Sequence, residues 1–215
     1  MPKNAYHHLF EPGTDPDAPP LLLLHGTGGS EQDLVRLGRM ISPGSALLSP
    51  RGNVNEAGSL RFFGRIAEGV FDPQEVSRRT QALADWVAAA AKSYSLDPGR
   101  LVALGFSNGA NVAGSMLLLR PELLAAAILF RPMVVLDLPA APGSLVGKRI
   151  LITHGSTDPL LPPDHAARLT ALFNAGGAEV LTRTHLASHA LVSADLEAAR
   201  EWIQPERSRI SVPRA

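Results

Sequence analysis

Apolar residues in this chain occur in short continuous runs, separated by turn residues and by longer stretches with helical periodicity. The continuous runs of strand length are 21–24, 46–49, 100–104, 124–130 and 149–153. Such runs predict strands that are buried on both faces, as in a parallel sheet. A short edge strand is predicted at 6–10, and the alternating stretch 178–184 predicts a last strand.

Helices are predicted between the strands. The clearest begins at Asp72, where a capping residue is followed by proline at the first helical position, and it continues to about residue 95. Ser30 and Asp33 have capping-box spacing and predict another helix start. The remaining predicted helices are 110–119, 164–175 and 193–203. This alternation predicts an α/β fold with a mostly parallel sheet and helices on both faces.

One long stretch has no clean periodicity. Residues 51–71 contain several arginines and phenylalanines, and an irregular insert of this length in a compact domain is usually functional. We expect a lid or pocket wall, and the alternative is a surface loop with its own aromatic cluster. The 215 residues fit a single domain, 1–215, with an N-terminal edge segment at 1–19 and a frayed tail at 204–215.

Composition narrows the function. Twenty basic residues balance twenty acidic ones, which argues against nucleic acid or an anionic membrane as the main partner. Cysteine is absent, so disulfides and thiolate chemistry are excluded. The scattered histidines predict no metal site, and no cofactor motif occurs. No apolar run has the length of a signal peptide or a membrane span, so we expect a cytoplasmic protein, and a homodimer is compatible with the sequence.

The pentapeptide Gly105-Phe106-Ser107-Asn108-Gly109 lies between a predicted strand and a predicted helix. Strand, G-x-S-x-G turn and helix together form the nucleophile elbow of α/β-hydrolases. Side chains at the two glycines would collide with the neighbouring strand and helix. The sequence therefore predicts Ser107 as a nucleophile.

A serine hydroxyl needs a base within hydrogen-bond reach and a third group that orients the base. Asp158 and His189 follow Ser107 in the order that α/β-hydrolases use, and each lies after a separate predicted strand. Because ligands of such sheets bind at the carboxyl ends of the strands, the three residues should meet at one edge. We expect His189 to act as the base and Asp158 to orient its ring.

Other residues compete for these roles. His185 also follows the last strand and remains an alternative base, whereas His154 is expected to be structural. Asp137 follows the wrong strand for this pattern, and Asp164 is expected at a helix start. The oxyanion needs two donors, for which we predict the backbone N–H groups of Asn108 and Thr27.

At this point the chain resembles carboxylesterase/phospholipase-type α/β-hydrolases, which include acyl-protein thioesterases, and within them the bacterial MhqD-like hydrolases. The matching stretches between residues 20 and 192 are His25-Gly26-Thr27-Gly28-Gly29, Ser49-Pro50-Arg51-Gly52-Asn53, Arg61-Phe62-Phe63, Ala67-Glu68-Gly69-Val70-Phe71-Asp72, the elbow with Ala110-Asn111, and His154-Gly155 through Asp158-Pro159. The resemblance implies hydrolysis of carboxylic esters with Ser107, Asp158 and His189 as the triad. One departure is Ser188, where these enzymes usually have glycine.

We expect a small-molecule ester as substrate, with a short-chain or aromatic acyl group. The residues predicted to form an apolar pocket are Phe62, Phe63, Phe71 and Met133, and Arg51 and Arg61 are predicted to meet an anionic or phenolic oxygen. Alternatives are an acyl-protein thioesterase or lysophospholipase, which needs a long acyl channel, and a non-catalytic binding protein with the same fold. Dienelactone hydrolase chemistry is disfavoured because it typically uses cysteine.

Overall fold

The computed structural model describes residues 6–210, with side chains described up to residue 204. Its strands are β1 His8–Glu11, β2 Leu21–Leu24, β3 Leu47–Pro50, β4 Val54–Glu56, β5 Ser59–Arg61, β6 Val102–Phe106, β7 Ala126–Phe130, β8 Arg149–Gly155 and β9 Glu179–His185. Its α-helices are α1 Val35–Ile41, α2 Pro73–Ser93, α3 Asn108–Leu119, α4 His165–Ala175 and α5 Ser193–Ile210.

Seven strands form one sheet in the order β1-β3-β2-β6-β7-β8-β9. All neighbouring strands are parallel except β1, which lies at the edge and pairs antiparallel with β3. The carboxyl ends of β6, β8 and β9 therefore lie at the same edge of the sheet. The predicted mostly parallel architecture is confirmed.

The sheet separates two apolar cores, one on each of its faces. In β2, Leu22 and Leu24 pack with α2, α3 and α4, whereas Leu21 and Leu23 pack on the other side with α1 and α5. All four leucines have no exposed surface. Continuous apolar runs are needed here because both faces of the sheet are covered by helices. Within the described residues, no helix is long and apolar enough to cross a membrane.

The start of α1 was predicted wrongly. The hydroxyl of Ser30 donates to the Asp33 carboxylate at 2.8 Å and does not cap a helix. Glu31 is held by Arg51 (2.7 Å from Nη2 to Oε1), and residues 31–34 form turns before the helix begins at Val35. By contrast, Asp72 caps α2 as predicted, since its side chain accepts from the Gln74 N–H at 2.9 Å.

Two other segments differ from the prediction. Residues 51–71, predicted to be irregular, contain the antiparallel hairpin β4–β5. Its turn places Ala57 and Gly58 at φ values of 49° and 92°, and alanine at such a position gives no hairpin signal in the sequence. The closing helix α5 extends past its predicted end at residue 203 to Ile210. The polar sequence after 203 has no apolar periodicity that indicates this extension, and the rest of the predicted tail, 211–215, lies outside the described residues.

Candidate active site

The turn between β6 and α3 holds Ser107 in a backbone conformation that residues other than glycine rarely adopt, with φ of 52° and ψ of −116°. The adjacent glycines make this turn feasible. A Cβ at Gly105 would lie 2.6 Å from the Ala110 nitrogen, and one at Gly109 would lie 1.9 Å from the Leu24 carbonyl oxygen. Strand, turn and helix thus approach each other too closely for any side chain at the two glycine positions, as the sequence predicts.

Ser107 begins a hydrogen-bonded series of three side chains. Its hydroxyl lies 2.9 Å from Nε2 of His189, and Nδ1 of the same ring lies 2.8 Å from Oδ2 of Asp158. The Asp158 side chain is 1% exposed and that of His189 is 23% exposed. Because a carboxylate only accepts, Nδ1–H donates to Asp158, which leaves the Nε2 lone pair to accept from Ser107. This arrangement is suited to transfer of a proton from the hydroxyl to the imidazole.

The alternative residues lie elsewhere. His185 has no hydrogen bond to Ser107, and its Nε2 is buried without a hydrogen-bond partner. His154 contacts a threonine hydroxyl on β9 at 3.1 Å. Asp137 and Asp164 both pair with Arg168, at 2.9 Å and 3.6 Å.

Two backbone N–H groups belong to residues that share the cleft with Ser107. Asn108 is the first residue of α3, and Thr27 lies in the turn after β2; both line the same cleft as Ser107. Neither backbone N–H donates to another group within residues 6–210. A free N–H at a helix N-terminus favours negative charge, so this position is suited to an oxyanion.

Side chains from distant segments fix these two donors. Asn108 Oδ1 accepts from the backbone N–H of Phe62 at 2.7 Å, and Thr27 Oγ1 accepts from Nη1 of Arg61 at 2.6 Å. His25, 1% exposed, donates from Nδ1 to the Gly26 carbonyl at 2.6 Å and accepts at Nε2 from the Gly52 N–H at 2.9 Å. The bond at Nε2 requires the neutral ring, because a protonated Nε2 cannot accept, and burial lowers the pKa of His25 in agreement with this.

Comparison with known proteins identifies the family of the chain. Residues 6–206, which are most of the chain, match the model of the Phospholipase/Carboxylesterase family. The chain belongs to the phospholipase/carboxylesterase family. Members of this family are α/β-hydrolases, so the predicted enzyme class and fold are confirmed.

Individual relatives in this family are similar over nearly their whole length. The "Putative hydrolase MhqD" of Bacillus subtilis (strain 168) is 40% identical over 195 residues, which are 91% of this chain and 96% of that protein. The crystal structure of the Bacillus cereus carboxylesterase superposes with a TM-score of 0.91 at 38% identity, covering 95% of this chain and 96% of that one. The structure of YahD with malic acid gives 0.88 at 31% identity, covering 94% and 100%.

In this family member, Ser107 and His189 line a cleft of about 260 Å³. Its apolar lining includes Phe71, Met133 and the pair Leu160–Leu161. The leucine pair directly follows Asp158-Pro159 in the sequence, and its position beside the predicted acid was the available signal for a role in the cleft.

Charged side chains form the other wall of the cleft. Arg61, Arg65, Arg131 and Glu68 line it. Arg61 is 3% exposed, and burial lowers its pKa. Arg65 contacts Glu56 at 2.7 Å and also pairs with Glu68, while Glu56 lies 3.4 Å from Nε of Arg61. The charges of Arg61 and Arg65 are thus matched by those of Glu56 and Glu68.

Some predicted pocket residues lie outside the cleft. Phe62 and Phe63 are 1% and 0% exposed and pack in the core beneath it. The Phe62 ring packs on His25 at 4.8 Å, and Phe63 packs edge-on against Phe71 at 5.6 Å. The segment after β5 turns into the core, so both rings lie beneath the cleft and do not line it. Arg51, which was also predicted to face substrate, pairs with Glu31 instead.

Proposed function

We propose that this protein is a serine carboxylesterase that hydrolyses short-chain or aromatic carboxylic esters through an acyl-enzyme. The observation that carries the proposal is the series from Ser107 through His189 to Asp158, with contacts of 2.9 Å and 2.8 Å. The membership of the phospholipase/carboxylesterase family and the similarity to a Bacillus cereus carboxylesterase support the same chemistry.

In the first half-reaction, Ser107 Oγ attacks the ester carbonyl carbon while its proton passes to Nε2 of His189. Asp158 keeps the ring in the required tautomer and stabilises the imidazolium. The carbonyl oxygen becomes an oxyanion that the N–H groups of Asn108 and Thr27 can bind, a type of interaction worth about 10²–10³-fold in rate per donor. The tetrahedral intermediate then expels the alcohol, which takes the proton from His189.

In the second half-reaction, a water molecule takes the place of the alcohol. It gives its proton to Nε2 of His189 as its oxygen attacks the acyl carbon. Collapse of the second tetrahedral intermediate releases the carboxylic acid and returns the proton to Ser107 Oγ. Each proton that leaves an attacking oxygen thus passes through the same ring nitrogen.

The size and charge of the cleft support a small, uncharged ester. A volume of about 260 Å³ lies below the range of roughly 300–1,000 Å³ that is usual for drug-sized ligands. Of the arginines that line the cleft, Arg61 and Arg65 face Glu56 and Glu68, and Arg131 pairs with Asp195, so their charges are compensated. An acyl-protein thioesterase or lysophospholipase would instead need an apolar channel for a long chain.

The proposal is tested with a chain-length series of p-nitrophenyl esters and with a fluorophosphonate probe. We expect turnover to be highest for short acyl groups, covalent labelling of the wild-type protein, and loss of about 10⁶-fold in kcat in Ser107→Ala. Ser115→Ala is the matched control, because that hydroxyl lies on the helix that follows Ser107 and, among the described residues, bonds only the Asn111 carbonyl, at 2.9 Å.

Three results would contradict the proposal. Near-normal turnover of Ser107→Ala would show that Ser107 is not the nucleophile. A wild-type protein that the probe does not label would indicate a non-catalytic binding protein. Rates that rise steadily to long fatty acyl esters would favour the lysophospholipase or thioesterase alternative.

A further inference from the structure

A buried ion pair lies beside the candidate active site, where Arg131 contributes to the cleft lining, and it takes no part in the proposed chemistry. Arg131 follows β7, and its side chain is 0% exposed; Asp195 lies in the first turn of α5, and its side chain is 1% exposed. The guanidinium donates to both carboxylate oxygens, from Nη1 at 2.8 Å and from Nη2 at 2.7 Å.

The remaining donors of Arg131 reach the loop that carries His189. Nε donates to the Ser188 carbonyl at 3.2 Å, and Nη2 donates to the Ala190 carbonyl at 3.0 Å. Nη1 also donates to Thr153 Oγ1 at 3.0 Å. These bonds account for all five N–H donors of a guanidinium. Arg131 therefore binds the two peptide carbonyls on either side of the candidate base.

We propose that Arg131 is a positioning residue that holds His189 within hydrogen-bond reach of Ser107, and that Asp195 fixes the orientation of its guanidinium. The inference rests on the proposed function, because it explains how His189 is kept in position to act as the base. Arg131 acts through the loop backbone and does not take part in proton transfer.

The loop is held from its other side as well. The Ala187 carbonyl accepts from the backbone N–H of Thr157 at 3.1 Å and from its hydroxyl at 2.9 Å. Thr157 immediately precedes Asp158, so the acid and the base are tied to each other through this loop. The carbonyls at 187, 188 and 190 are all bound, and the His189 side chain is left to face Ser107.

Asp195 is itself held in place. It accepts from the Thr153 hydroxyl at 2.6 Å and from the backbone N–H of Val192 at 2.9 Å, the second bond being one half of a capping box for α5. Burial acts to raise the pKa of Asp195, but the hydrogen bonds from Arg131 and Thr153 and the charge of Arg131 outweigh it and lower the pKa. The carboxylate thus stays ionised opposite the guanidinium.

The backbone of Arg131 indicates the same purpose. Its φ is 55°, in the left-handed region that residues other than glycine rarely adopt, and its N–H bonds the Thr153 carbonyl at 2.8 Å. Such strained conformations persist where the surroundings fix them, and they cluster at active sites. A buried ion pair by itself is weak evidence that a residue stabilises the fold. The planar guanidinium of Arg131, however, can hold two carbonyl groups at defined positions.

The test compares a double variant, Arg131→Met with Asp195→Asn, against Arg131→Lys and wild type. The double variant leaves no unpaired charge in the core, so it is the version expected to fold. We expect its kcat and its rate of fluorophosphonate labelling to fall by about 10²-fold, the loss associated with a displacement of 1 Å, with KM within twofold. Arg131→Lys keeps the charge but cannot span both carbonyls, and we expect an intermediate kcat.

Leu83→Ala is the stability control, because it truncates a fully buried side chain in α2. We expect it to lower the unfolding temperature and leave kcat unchanged at temperatures where it is folded. A folded double variant with kcat within twofold of wild type would overturn the proposal. So would an equal loss of kcat in Leu83→Ala, which would mean that the effect follows general destabilisation.

Hydrogen exchange of the amides at 186–192 tests the positioning role without reference to catalysis. We expect faster exchange in the double variant and Arg131→Lys, and no change in Leu83→Ala. Unchanged exchange in the double variant would contradict the positioning role even if activity were lost. A wild-type protein that lacks esterase activity would instead defeat the proposed function, and the exchange result would still decide whether Arg131 holds the loop.

Discussion

Replacing Gly155 with alanine should displace the loop that carries His189. Gly155 ends β8, and a Cβ there would lie 2.2 Å from the Ala187 carbonyl oxygen and 2.4 Å from that of Ser188. Ordinary carbon–oxygen contacts begin at about 3.3 Å. The strand end or the loop must therefore move by about 1 Å, and the obstacle is backbone, which cannot rotate away as a side chain can.

That movement has a predictable effect on catalysis. A misplacement of about 1 Å lowers rates by roughly 10²-fold, which corresponds to about 2.7 kcal/mol in the activation free energy. We expect kcat of Gly155→Ala on p-nitrophenyl acetate to fall by about this factor, with a smaller change in KM. Overpacking of this kind also destabilises by about 1–3 kcal/mol, so thermal unfolding must be followed in parallel and kcat measured well below the transition.

Gly114→Ala is the matched control. Gly114 is also buried, in α3, but a Cβ there would meet its nearest neighbour, the Phe173 ring, at an ordinary 3.4 Å. We expect this variant to retain wild-type kcat and to unfold at the same temperature or slightly higher, since alanine is the better helix former. A folded Gly155→Ala enzyme with kcat within twofold of wild type would refute the reasoning that strand and loop are in rigid contact.

Two further predictions concern acid stability and substrate choice. The hydrogen bond from Arg51 lowers the pKa of Glu31 from 4.5 to about 2, so the stability it contributes is fully present above pH 4.5 and is lost as pH falls towards 2. The urea midpoint of Glu31→Gln should therefore lie below that of wild type at pH 7, and the gap should shrink at pH 3; a constant gap would contradict the assignment. Phe71→Ala removes an aromatic side chain from the cleft lining and should raise KM severalfold for benzoate esters more than for acetate esters; equal changes for both would exclude Phe71 from contact with the acyl group.

Local patterns predicted the parts of this fold that depend on local physics. The run 21–24 coincides with β2, because a strand covered on both faces needs a continuous apolar stretch. Asp72 caps α2 because proline follows it at the first helical position and its carboxylate is available to accept from the Gln74 N–H. Ser30 has equally good spacing, but its hydroxyl bonds Asp33 and its neighbour Glu31 bonds Arg51. That competition comes from tertiary structure and is invisible in the sequence.

The candidate site follows the same division. Ser107, Asp158 and His189 could be predicted because each follows a strand of a parallel sheet in a recognisable order. Phe62 was assigned to the pocket because aromatic residues often line pockets, yet its ring is in the core. Arg131 was missed entirely, because an arginine after an apolar strand reads as the start of an exposed loop. The position is buried because α5 and the loop at 188–190 both pack around the guanidinium.

The hydrogen bonding of His25 has a consequence for how this enzyme should respond to acid. Its ring links the turn after β2 to Gly52, and because burial lowers its pKa, the link persists at pH values where an ordinary histidine gains a proton. One of the two predicted oxyanion donors therefore keeps its place during acidification. The turn after β2 should therefore keep its link to Gly52 just below the ordinary histidine pKa, where a protonated ring could no longer accept from that N–H.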